Sequence, residues 1–200
     1  LQNPNLSVRW KAWTALHKMG ETAETALLKL YNEATNPRMK ARAFWLLTKL
    51  PNGTDYIKKA AADSDENIRV AAVRASRING MKDNALLLHL AADPSDQVRR
   101  EVAVGIRYED APEVWLKLAE GYRSGDRWYL EALGIAAEYR WDSYLPAYLA
   151  KVGQGWSNSA EAKDLIWRSR SAGTPAPAAG SRWSAHGSRS PAGAWRCPWR

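Results

Sequence analysis

Along roughly the first 140 residues, apolar positions recur with a helical period, and a short polar motif resets that period at regular intervals. The motif is Asn or Asp, then Pro or Ser, three further residues, an apolar residue and Arg. It stands at Asn3-Pro4…Val8-Arg9, Asn36-Pro37…Ala41-Arg42, Asp63-Ser64…Ile68-Arg69 and Asp93-Pro94…Val98-Arg99. The arginines at 9, 42, 69 and 99 are therefore 33, 27 and 30 residues apart. Counted from each Arg, position −1 is Val8, Ala41, Ile68 and Val98, and +3 is Ala12, Trp45, Ala72 and Val102. Position +4 is Trp13, Leu46, Val73 and Ala103, and +6 is Ala15, Thr48, Ala75 and Gly105. These four positions share one side of a 3.6-residue helix and predict a buried face, with small +6 residues admitting a neighbouring backbone.

A fifth copy runs through Gly125-Asp126-Arg127-Trp128-Tyr129-Leu130-Glu131. Leu130, Gly134, Ile135 and Ala137 keep the apolar face there, while Glu131 replaces the Arg. Asn or Asp before Pro suits an N-cap followed by a first helical residue, since Pro lacks only an amide that has no partner there. Second apolar segments lie between the motif helices, at Ala23–Glu33, Thr54–Ala62, Lys82–Ala92, Ala111–Tyr122 and Ser143–Val152. Gly20, Pro51-Asn52-Gly53, Gly80, Gly121, Gly125 and Gly153-Gln154-Gly155 break the chain between them. No stretch sustains a period of two, so no sheet is predicted. Self-similarity at a period of about 20–50 residues marks a stacked array in which each unit buries its apolar face against its neighbours. The expected fold is all-α: an α-solenoid of about five stacked antiparallel helix pairs over residues 1–170, with a disordered tail over 171–200.

The pattern Asp-Pro/Ser…Val-Arg…Ala-Ala at about 30 residues resembles HEAT repeats of the short, phycobilisome-lyase-like type, over roughly residues 1–140. A narrower resemblance rests on Gly125-Asp126-Arg127-Trp128-Tyr129-Leu130-Glu131-Ala132-Leu133-Gly134-Ile135, then Trp141, then Ile166-Trp167-Arg168-Ser169-Arg170. This set is similar to the HEAT segment of large secreted bacterial polypeptides that carry a dehydrogenase-like β-propeller before it and a c-type cytochrome module after it. That resemblance implies a periplasmic or extracellular location, with any haem or dehydrogenase site outside this stretch. The residues themselves assign no compartment.

Composition changes this picture little. The chain is 46% hydrophobic and 25% charged, enough for a core, and no apolar run approaches the roughly 20 residues of a membrane span. It opens on Leu1 without a basic, then apolar, leader and reads as an internal fragment. Cys197 is the single cysteine. The formal charge is +8, of which Arg182, Arg189, Arg196 and Arg200 in the tail supply four. The remaining basic and acidic residues are interleaved, as on a solvated surface, so nucleic acid is not the expected partner. The tail itself is Ser, Ala, Gly, Pro, Arg and Trp without periodicity. It reads either as a basic segment for acidic surfaces or nucleic acid, or as an out-of-frame translation.

Two groups of residues invite function. Arg9, Arg42, Arg69 and Arg99 either line a groove or form a structural ladder, reaching acidic caps of adjacent repeats, with Asp63 and Asp93 placed to accept, a geometry that suits Arg. Trp10, Trp13 and His17 share a helix face, and Arg127, Trp128, Trp141, Trp156 and Trp167 crowd the C-terminal end. Both sets are candidate interaction surfaces, with core packing as the alternative for the tryptophans.

Catalytic constellations are absent from the sequence. His17, His89 and His186 are scattered, no HExxH, CxxC or CxxCH occurs, and no GxxxxGK[ST] or GxGxxG forms a nucleotide cradle. The expectation is a non-catalytic interaction scaffold or spacer, without cofactor, partnered by proteins or by flanking domains of one polypeptide. A HEAT-like DNA-repair glycosylase and a bilin lyase or chaperone-like HEAT protein are the alternatives.

Overall fold

Why the helices stop where they do explains the architecture. The computed structural model describes residues 1–170, all helix and turn. The reading of 171–200 as a disordered tail lies outside the described residues. The helices are α1 (Leu6–Met19), α2 (Glu24–Glu33), α3 (Pro37–Leu47), α4 (Gly53–Ala61), α5 (Glu66–Ile78), α6 (Asn84–Ala91), α7 (Asp96–Gly105), α8 (Pro112–Gly121), α9 (Arg127–Ala136), α10 (Trp141–Val152) and α11 (Ala160–Arg170). Short 3-10 turns at Gly20–Ala23 and Gly153–Asn158 precede α2 and α11.

The odd-numbered helices form one row, each packing on the next from α1 to α11, and α4, α6, α8 and α10 form a second row. The apolar core lies between the rows. It is built by the predicted face: Ile68, Ala72, Val73 and Ala75 on α5, Val98, Val102 and Ala103 on α7, and Leu130 and Gly134 on α9 are buried. Trp115 and Tyr129 are buried with their polar atoms satisfied, the indole donating to the Leu133 carbonyl at 3.1 Å and the phenol to the Leu118 carbonyl at 3.0 Å. Such pairing is what allows polar atoms inside an apolar stack.

Two expectations are corrected. First, only Asn36-Pro37 is a cap followed by the first helical residue. In the other copies the N-caps are Asn5, Asp65 and Ser95, two residues beyond the motif's first residue. Asn3, Asp63 and Asp93 instead close turns, accepting the amides of Asn5, Asp65 and Ser95 at 2.8, 3.0 and 2.8 Å. Turn closure and capping use the same side chains, so composition alone cannot separate them. Second, the α1 face is not buried. Val8 and Ala15 are exposed, because among the described residues α1 has a row neighbour, α3, on one side alone. α11 docks on α9 and α10 and continues the first row beyond five helix pairs.

Candidate interaction surfaces

The repeated arginines are tied down within the fold. Nη1 of Arg9, Arg69 and Arg99 donates to the carbonyls six and five residues earlier: Asn3 and Pro4 (3.0 and 2.7 Å), Asp63 and Ser64 (2.8 and 3.1 Å), Asp93 and Pro94 (2.6 and 3.1 Å). The motif Arg thus holds the loop that precedes its own helix. Arg69 also binds Asp93 of the next repeat through two nitrogens, at 2.7 and 2.9 Å. Arg99 meets Tyr129 instead, donating to its phenol oxygen at 3.1 Å and lying 5.3 Å over its ring.

Arg42 breaks the pattern, since α3 starts early and the Asn36 carbonyl already accepts the amides of Met39 and Lys40. Its Nη1 reaches the Leu1 carbonyl at 2.7 Å. Asp63 is held by Lys40 at 2.6 Å and by the Tyr31 hydroxyl at 3.0 Å, and not by a ladder Arg of an adjacent repeat as expected. Burial pushes the Asp63 and Asp93 carboxyls up. Hydrogen bonds from Lys40 and the Asp65 amide, and from Arg69 and the Ser95 amide, outweigh it and hold both below the usual range. Tyr31 is displaced upward by burial and by Asp63. In the fifth copy the polarity reverses, with Glu131 accepting from Arg168 of α11 at 3.0 Å. A Cβ on Gly134 would stand 2.4 Å from the Arg168 Nε, so this glycine makes room for the guanidinium.

The aromatic candidates fall into separate places. Trp10 is exposed and stacks on Trp13 at 5.6 Å and 7°, and Trp13 stacks on the exposed His17 at 5.0 Å. Trp13 is itself half-buried against the core. At the far end of the row, Arg127 and Trp128 are exposed at the start of α9, and Trp156 is half-buried in a 3-10 turn. Trp141 is corrected from surface to core. It is 3% exposed and packs edge-on against Trp115 at 5.9 Å, because α10 turns its first residue into the stack. Trp167 is 65% exposed. Laying the buried Ala162, Leu165 and Ser169 of α11 over Tyr129, Ala132 and Ala136 of α9 puts Trp167 at the Gly134 register. That is position +3, which is half-buried or buried as Trp45, Ala72, Val102 and Gly134, all on helices that pack on a following first-row helix. The structure therefore brings Trp10, Trp13 and His17 together, and keeps them apart from Trp128 and Trp167.

One concavity escaped the sequence reading. Between the α5–α6 and α7–α8 turns lies a groove of about 450 Å³, floored by Val73, Met81, Leu87 and Ile106 and bordered by Glu109 and Glu113. Its only sequence signal is Gly105, the smallest residue in the +6 register. Among the described residues no group of three His, Cys, Asp or Glu side chains is placed to hold a metal ion. No described helix is long and apolar enough to cross a membrane.

No curated protein and no solved structure matches the chain. Residues 24–106, from the start of α2 to the end of α7, match the family model described as HEAT repeats, which supports a HEAT-repeat protein.

Proposed function

We propose that this chain is a non-catalytic scaffold or spacer whose exposed row ends dock against flanking modules or partner proteins. HEAT repeats generally mediate protein interaction and scaffolding. The observation that carries the reading is Trp167, exposed at a register that is half-buried or buried in the preceding repeats. A large exposed aromatic on α11, the last described helix, is the kind of apolar surface that marks an interaction site. The likeness of Gly125–Ile135 and Ile166–Arg170 to secreted dehydrogenase–cytochrome polypeptides supports a parent protein of that type, outside the cytoplasm. The internal bonds of Arg9, Arg69 and Arg99 argue against a basic groove for nucleic acid.

A solvatochromic dye that fluoresces on apolar protein surfaces tests the scaffold reading. The protein should bind it, and Trp167→Ser combined with Trp128→Ser should remove most of the signal. A dye-negative, strictly monomeric protein would overturn the reading. For the parent, a reading frame that continues into a CxxCH haem-attachment motif is the expected outcome, and a gene lacking one overturns it.

A further inference from the structure

The groove between the third and fourth helix pairs has a chemistry of its own. Its floor is apolar, and no side chain fills it from α7, because residue 105 is Gly. A Cβ there would meet only the Val73 Cγ1 at 3.7 Å, an ordinary contact. The same register holds Ala15, Thr48 and Ala75 in other copies. Around the groove stand Asp83, Glu109, Asp110 and Glu113 against Arg77 and Lys82. The lining is thus two charges negative in a chain of formal charge +8. Arg77 faces Glu101 at 4.0 Å, Asp83 faces Lys58 at 3.3 Å and Asp110 faces Arg140 at 3.6 Å. Glu109 and Glu113 keep no ion pair among the described residues, and both are exposed.

We infer that this groove docks a peptide segment of a partner protein, an apolar anchor flanked by Lys or Arg. The volume suits one or two anchor side chains, falling in the range of about 300–1,000 Å³ typical of binding pockets. The apolar floor removes the anchor from water. Glu109 and Glu113 supply charge complementarity, which selects basic flanks and rejects acidic ones. The inference rests on the scaffold reading but uses a surface independent of Trp167.

The test is fluorescence anisotropy with the full chain and a labelled nine-residue peptide carrying two leucines between Lys and Arg residues. Saturable, salt-sensitive binding is expected, with none for the same peptide flanked by Asp and Glu. Glu109→Gln with Glu113→Gln should weaken binding about tenfold through lost complementarity. Gly105→Leu should block the groove while leaving the helical signal and melt in place. Trp167→Ser should not change the affinity, which separates this site from the row end. Equal binding of the acidic peptide, undiminished binding by Gly105→Leu, or no saturation would each overturn the inference. Binding that emerges only after Arg182, Arg189, Arg196 and Arg200 are replaced by Gln would also overturn it, assigning the groove to the chain's own C-terminal segment.

Discussion

Arg69 and Asp93 form a two-nitrogen, two-oxygen pair across the junction of the third and fourth helix pairs, while the remaining Arg69 nitrogen holds the carbonyls of Asp63 and Ser64. One guanidinium therefore fixes the entry into its own helix and the distance to the next repeat. The Asp93 side chain is 5% exposed, so its charge depends on this partner. Planar, two-point recognition of a carboxylate is the geometry for which Arg is suited and Lys is not.

Replacing Arg69 with Ala should destabilise the fold by about 1–3 kcal/mol, because it leaves a nearly buried carboxylate and two carbonyls short of donors. Arg42→Ala should destabilise it less, since its backbone partner is the Leu1 carbonyl near the chain start. Urea unfolding at unchanged m-value measures both. Equal losses would show that the register matters and the Asp93 contact does not.

Acid should weaken the stack through Asp63 and Asp93. Their folded-state pKa values are depressed, so their contribution is fully present above the unfolded Asp value of about 3.9 and is lost as pH falls through the folded values. Melting midpoints should be insensitive to these two groups above about pH 5 and should fall below about pH 4. Asp93→Asn should start less stable and show a shallower acid slope. A slope identical to that of the parent protein would assign the acid response to other carboxylates.

Two tryptophans that look alike in sequence should behave oppositely. Trp141→Ala empties a site packed against Trp115, Tyr144's neighbour in the core, and should destabilise by about 3–5 kcal/mol. Trp128→Ala, at an exposed position, should stay within about 0.5 kcal/mol. Calorimetric or denaturant melts of the two variants decide it. A large effect at Trp128 would mean that it is covered in solution.

Backbone geometry supplies a further pair. Tyr139 takes φ 68° in the α9–α10 turn with its side chain 85% exposed. Tyr139→Gly should stabilise by about 0.5–1 kcal/mol, relieving a left-handed conformation that Gly adopts without strain. Gly53→Ala should do the reverse, destabilising by about 1–3 kcal/mol, because its Cβ would lie 2.4 Å from the Thr48 carbonyl oxygen. Thermal melts of both variants should move in opposite directions.

The sequence by itself determined the helical character, the repeat and the buried register. Positions −1, +3, +4 and +6 are legible because a 3.6-residue period maps straight onto one helix face. It also marked Glu131 as a reversed copy of the Arg position, though its partner Arg168 could not be named from spacing. Tertiary structure alone decided how each copy ends and what it meets. Asn3, Asp63 and Asp93 look like helix caps and close turns, since both roles use the same side chains and the motif does not encode that the helix starts two residues later. Trp141 and Trp167 are equally aromatic, yet one enters the core and the other faces outward, because exposure at a repeat position is set by the neighbouring helix and not by the residue. The groove beside Gly105 exists because two turns distant in sequence stand apart in space, a separation that no local pattern encodes.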